Sequence, residues 1–329
     1  MPAIIVIGAS EGGVEAIRLL ASALPGEFPA AVFVVLHIGA HKSEFPAVLN
    51  SAGPLRASHA KNGERIHPGR IYVAPPDHHL LVEHRQMRLT RGPRENWARP
   101  AIDPLFRSAA QAYGSEVVGV ILTGGLNDGT AGLLEIKQCG GTTIVQDPDD
   151  AMNPSMPRSA LQHVVVDHRV TLSSLPGLLI SIVTGQASAT PAKDMASMPF
   201  ELRRRAMTAD YTLDDPVAVT CPNCGGALRR IELDSLTQFR CHIGHVYTAE
   251  VMIAAQFAAM DTSLATAMRS LSERGELCRQ MAEKAQSAER ADLAAQWTAA
   301  MQEAKERATM MRELLEKEWT HPGNIETRA

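Results

Sequence analysis

Three residues of chemical interest each follow an apolar run. Ser10 follows Ala3-Ile4-Ile5-Val6-Ile7-Gly8-Ala9, His37 follows Val34-Val35-Leu36, and Asp128 lies just past Val120-Ile121-Leu122. A serine hydroxyl is a weak nucleophile at neutral pH and needs a neighbouring base. A histidine can take that proton and return it to a leaving alcohol. A carboxylate fixes the imidazole tautomer and stabilises the imidazolium. The three types together fit acyl transfer, and the small-residue turns Glu11–Gly13 and Gly124-Gly125 offer backbone N–H groups for an oxyanion. The order Ser…His…Asp and the lack of a G-x-S-x-G elbow set the chain apart from α/β-hydrolases. Each residue alone has a plainer reading. Ser10 before two glycines suits a turn or a phosphate cradle, His37 a polar strand end, and Asn127-Asp128-Gly129 a turn. Nucleotide binding at Gly8–Gly13 is weakened because G-x-G-x-x-G is absent and the next strand ends in His37 rather than an acid.

A second cluster lies at Cys221-Pro222-Asn223-Cys224 and Cys241-His242-Ile243-Gly244-His245. A C-x-x-C knuckle followed by C-x-x-x-H predicts a closed Cys₃His site for a structural zinc. Cys221, Cys224 and Cys241 are the thiolate ligands, and the fourth is His245 or His242. Cys139 and Cys278 stand alone and read as ordinary thiols.

The elements that must position these groups follow from periodicity. Strands are expected at residues 3–7, 31–36, 70–74, 117–122, 142–146 and 163–166, and helices at 14–24, 104–113, 131–138 and 173–184. This alternation predicts an α/β fold, a three-layer α/β/α doubly wound mainly parallel sheet. Consecutive strand ends then share one edge, so Ser10, His37 and Asp128 can converge. The runs at 71–74, 79–82 and 86–90, split by Pro75-Pro76-Asp77, predict an antiparallel excursion. Residues 1–185 form the expected catalytic domain, 186–215 a linker and 216–248 a zinc-ribbon-like module. Residues 249–318 form a helical hairpin or coiled coil breaking near 286–292, and 319–329 a tail. The hairpin stripe fits a homodimer seam or a partner helix, and Arg203-Arg204-Arg205 fits a solvated surface.

The chain of 329 residues has room for two domains of about 150 residues. Its net charge of −4 argues against a nucleic-acid surface or a polybasic membrane patch. No apolar run approaches the roughly 20 residues of a membrane helix, and residues 1–10 lack a basic n-region, so neither membrane insertion nor a signal peptide is expected. Clustered cysteines without an export signal predict a reducing, cytoplasmic setting.

From residue 3 to about 184 the chain resembles the catalytic domain of the CheB-type chemotaxis protein-glutamate methylesterase. The resemblance rests on Gly8-Ala9-Ser10-Glu11-Gly12-Gly13, Leu36-His37, Ile71 to Asp77, Arg99 to Ala110, Leu122 to Gly129, and Gln146 to Pro157. It implies hydrolysis of glutamate methyl esters, and deamidation of glutamines, on helices of methyl-accepting chemoreceptors. Ser10 would be the nucleophile, His37 the base and Asp128 its orienter. The backbone N–H groups of Glu11 and Gly125 would face the oxyanion, with no catalytic cofactor. The Gly244-His245 pair is similar to the end of a C-terminal segment in stand-alone relatives, which favours His245 as the ligand. Three departures stand out. The chain opens at the catalytic strand, where the family's enzyme carries a phosphorylated receiver domain. Glu11 replaces a small residue or threonine after the nucleophile. Gly125-Leu126 replaces Met-Gly in the aspartate loop, so Leu126 is strained if that position needs a positive φ. These departures sustain an alternative: a catalytically degenerate esterase fold acting as an adaptor for a helical signalling partner.

Overall fold

The computed structural model describes residues 3–37, 43–186, 216–234 and 236–316. The first 186 residues build a seven-stranded parallel sheet, ordered β3-β4-β2-β1-β7-β8-β9. Its strands are β1 (Ala3–Ala9), β2 (Ala30–Leu36), β3 (Arg56–His59), β4 (Arg70–Val73), β7 (Val117–Ile121), β8 (Thr142–Gln146) and β9 (His168–Val170). Strands buried on both faces read as near-continuous apolar runs, which is why β1 and β2 stand out in the sequence.

Alternate side chains of β1 enter two different cores. Ile5, Ile7 and Ala9 pack with α1 (Gly13–Ala23), α2 (Phe45–Ala52) and α6 (Leu175–Val183). Ile4 and Val6 pack with α3 (Ile102–Tyr113), α4 (Thr130–Gln138) and α5 (Ser155–His163). The result is the expected three-layer sandwich. Chain order runs outward from β1 to β2 on one side and from β7 on the other, so β1 and β7 flank the switch point where open α/β sheets hold ligands.

Several expectations shift. The strand placed at 163–166 is the end of α5 and the turn after it; Val165 is 76% exposed, and the edge strand forms at His168–Val170 instead. Helix α2 and strand β3 had no clear periodic signal. The antiparallel excursion is the hairpin β5 (His79–Glu83) with β6 (Gln86–Thr90), whereas Arg70–Val73 belongs to the parallel sheet.

A second sheet of four antiparallel strands follows: β10 (Pro216–Thr220), β11 (Ala227–Leu233), β12 (Leu236–Cys241) and β13 (Val246–Thr248). The chain divides into compact units at 1–252 and 253–329, so this small sheet belongs to the first. Most of the expected linker and all of the expected tail lie outside the described residues, as does the Arg203–Arg205 run.

Helices α7 (Ala249–Ser287) and α8 (Ala291–Glu316) follow, with the turn at 288–290. In the second unit Cys278, Ala285, Ala304 and Ala308 are buried, so the seam is lined by small side chains. Among the described residues α7 alone contains a stretch apolar and long enough to cross a membrane by composition, contrary to the sequence expectation. A helix of a soluble protein passes the same test.

Candidate active site

Ser10 sits on the turn from β1 into α1. Its N–H donates to the Thr123 carbonyl at 3.0 Å, tying β1's end to the loop after β7. The turn needs left-handed backbone at Gly12 (φ 77). Gly124 lies against Ser10 because it has no side chain: a Cβ there would stand 2.9 Å from the Ser10 Cβ and 2.2 Å from the Met156 sulfur.

His37 follows β2, and its N–H donates to the Ala9 carbonyl at 3.2 Å. Its Nε2 lies 2.8 Å from Asp128 Oδ2. The structure therefore joins His37 and Asp128 directly and sets Ser10 on the neighbouring strand end. Among the described residues no hydrogen bond forms between the Ser10 hydroxyl and His37.

Asp128 is 2% exposed and held on every side. The N–H of Ile102, at the start of α3, donates to Oδ2 at 2.6 Å, and the N–H of Asp103 donates to Oδ1 at 3.3 Å. A helix N-terminus is a ready anion site. The Asn96 amide donates to Asp128 Oδ1 and to Asp103 Oδ2, each at 2.8 Å. Burial alone would raise the Asp128 carboxyl. The hydrogen bond and charge of His37, the Ile102 N–H and the Asn96 amide outweigh it, so the carboxyl lies below its ordinary value. Burial, then the charge of Asp128, pushes Asp103 well above its own. Negative charge is thus favoured on Asp128, which faces the imidazole, over Asp103.

The proposed oxyanion donors are disposed as follows. Among the described residues neither the Glu11 nor the Gly125 N–H has an acceptor, whereas the Gly124 N–H is occupied by the Asn153 carbonyl at 3.0 Å. The Glu11 carboxylate is exposed and accepts from Asn153 Nδ2 at 2.8 Å, while its carbonyl accepts from the Thr123 hydroxyl at 2.9 Å. Leu126 does take a left-handed φ of 62, with its side chain 44% exposed.

The cysteine cluster sits on two knuckles of the small sheet. The Gly225 N–H donates to the Cys221 carbonyl at 2.8 Å, and the Gly244 N–H to the Cys241 carbonyl at 2.9 Å. Ligand atoms of Cys221, Cys224, Cys241 and His245 all lie within 4.8 Å of one another; His242 is outside the group. Sγ of Cys224 and Cys241 are 3.7 Å apart, and His245 Nδ1 lies 3.7 Å from Cys221 Sγ and 3.4 Å from Cys241 Sγ. A tetrahedral zinc with its usual bond lengths needs edges of about 3.8 Å between sulfurs and about 3.6 Å from sulfur to nitrogen. The donor set and its spacing fit that ion. Burial, then the charges of Arg94 and Arg99, lowers the His245 imidazole and favours the neutral form that ligates.

Sequence reasoning missed Asn96, Asp103 and the Ile102 N–H, although the stretch 99–110 had been singled out. The acid in the first turn of a helix just after Pro100 was the available signal. Asn96 had none, because its partners are 7 and 32 positions away.

A family model described as CheB methylesterase matches residues 5–179. A Leptospira interrogans relative (serogroup Icterohaemorrhagiae, serovar copenhageni) is 39% identical over 180 residues, covering 54% of this chain and 93% of its own. A Photorhabdus laumondii protein named protein-glutamate methylesterase/protein-glutamine glutaminase is 39% identical over 189 residues, 56% of this chain and 54% of that protein. The crystal structure of the Thermotoga maritima CheB methylesterase catalytic domain superimposes with a TM-score of 0.54 at 33% identity, covering 55% of this chain and 99% of that one.

Proposed function

Because this chain belongs to the CheB methylesterase family, a family of carboxylic ester hydrolases, we propose that it hydrolyses glutamate methyl esters on methyl-accepting chemoreceptors by a Ser10-His37-Asp128 relay. The observation that carries this reading is the 2.8 Å His37–Asp128 hydrogen bond at the switch point, one strand from Ser10. With Nε2 engaged by Asp128, Nδ1 of His37 is the nitrogen left to receive the Ser10 proton. Ser10 Oγ adds to the ester carbonyl, and the oxyanion accepts the free N–H groups of Glu11 and Gly125. The imidazolium returns its proton to the departing methoxide, releasing methanol and leaving an acyl-serine. Water, deprotonated by His37, then cleaves the acyl-serine to the free glutamate carboxylate. A glutamine amide follows the same route with ammonia as the leaving group. No step requires a cofactor.

Cys221, Cys224, Cys241 and His245 hold a structural zinc in this reading. Reduced thiols there support a cytoplasmic setting. The helix pair is the partner-binding element, as its length and small-residue seam favour; receptor binding that survives deletion of residues 249–329 removes that assignment.

The test is methanol release from a methylated chemoreceptor cytoplasmic domain, comparing the native chain with Ser10→Ala. Release that vanishes in the variant supports the relay. A native chain that binds receptor yet releases no methanol refutes it and favours the adaptor reading, with strained Leu126 and anionic Glu11 beside the oxyanion donors as the cause.

A further inference from the structure

We propose that the Cys₃His module is a positioning device for the catalytic aspartate, so that its metal loading sets the rate of acyl transfer. The proposal rests on the assignment of Ser10, His37 and Asp128 made above. The module lies outside the shared catalytic domain, since the family match ends at residue 179. Yet its last strand, β13, contacts Asn96, which donates to Asp128, and Asn127, which precedes it in the chain.

The first is Asn96. Its N–H donates to the Val246 carbonyl at 2.8 Å, and its Oδ1 accepts the Thr248 N–H at 3.2 Å. An amide has an acceptor end and a donor end. By occupying the acceptor end, Thr248 turns both Nδ2 hydrogens toward Asp128 and Asp103. The opposite rotamer would aim Oδ1 at the buried carboxylate. Asn96 also holds a left-handed φ of 48, a conformation asparagine adopts more readily than most residues.

The second is Asn127, which precedes the catalytic aspartate. Its Oδ1 accepts the Thr248 hydroxyl at 2.6 Å, and its Nδ2 donates to Glu250 at 2.6 Å. Thr248 is fully buried. One residue of the module therefore holds both Asn96 and Asn127.

Strand β13 begins directly after His245, and the Cys241–His245 knuckle anchors it. The apolar core of the module is small, and two of its six buried members are the ligands Cys221 and Cys241. A sheet of this size depends on its metal to hold its shape. Metal loss would release β13, then the Asn96 amide, then the orientation of Asp128.

The test uses the full chain and a small probe, so that receptor docking plays no part. Ser10 phosphonylation by a fluorophosphonate and p-nitrophenyl acetate turnover are measured with zinc content. Amide exchange of Asn96 is followed alongside. Thr248→Val is expected to lower kcat about tenfold with KM within about twofold, while Thr248→Ser keeps the native rate. Glu250→Ala, an exposed change that leaves the fold intact, should give a smaller loss in kcat. Chelation should reproduce the Thr248→Val loss, raise Asn96 exchange, and be reversed by zinc. Native labelling rates in Thr248→Val and in stripped protein would overturn the proposal and leave the esterase reading intact. A native chain that never labels refutes the Ser10 assignment; the coupling then stands or falls on whether zinc protects the Asn96 amide.

Discussion

Replacing Asn96 by alanine deletes the only side chain that bridges Asp103 and Asp128 among the described residues. The bond to Asp128 contributes about 2 kcal/mol, and the bonds to Asp103 and from the Thr248 N–H about 1 kcal/mol each. Alanine at a φ of 48 adds about 1 kcal/mol of left-handed strain. The expected loss is therefore about 5 kcal/mol, a large share of a domain's usual 5–15 kcal/mol. Asn96→Gly removes the same amide but accepts the backbone, so it should be the milder change by about 1 kcal/mol despite being smaller. Urea unfolding at neutral pH, followed by far-ultraviolet circular dichroism, measures both. A loss for Asn96→Ala below about 1 kcal/mol would refute the bridging role. An alanine variant as stable as the glycine variant would refute the strain.

Gly275→Ala should stabilise the helix pair by about 1 kcal/mol, because the added methyl would meet Ala304 Cβ at 3.8 Å and Lys305 Cγ at 3.9 Å, ordinary contact distances; thermal unfolding of the full chain reads it. Cys224→Ser should empty the metal site, read as zinc released to a colorimetric chelator. Asp77 is lowered to about 2 by hydrogen bonds from Arg99 and then Arg91. Because its folded value is depressed, its stabilising effect is present above the ordinary carboxylate range and is lost as pH falls from about 4 to about 2. Asp77→Asn should flatten the urea midpoint over that window.

The strands that carry Ser10 and His37 were legible because a parallel strand buried on both faces must be apolar throughout, and β1 and β2 are. The two knuckles were legible because metal ligation fixes spacing. The apolar run Val164-Val165-Val166 misled because a β-branched run resembles a strand, while the real edge strand pairs His168–Val170 with Ile144–Gln146 through a polar sequence. Helix α2 opens on Phe45-Pro46 and spans only eight residues, too few for a periodic signal. The supports of Asp128 were hidden for a different reason. Asn96 meets Thr248 across 152 positions, a contact that tertiary packing creates and local pattern does not encode. Leu126 was legible in the negative sense: its departure from glycine flagged a left-handed position that the structure contains.

Gly8, near the C-terminal end of β1, has a consequence for mutational drift. A Cβ at that position would stand 2.4 Å from Ile102 Cγ2, so even alanine must push Ile102 aside. Ile102 carries the N–H that holds Asp128 at 2.6 Å. Gly8→Ala would therefore be expected to cost both stability, through overpacking against the buried Ile102, and turnover, through the displaced N–H that holds Asp128.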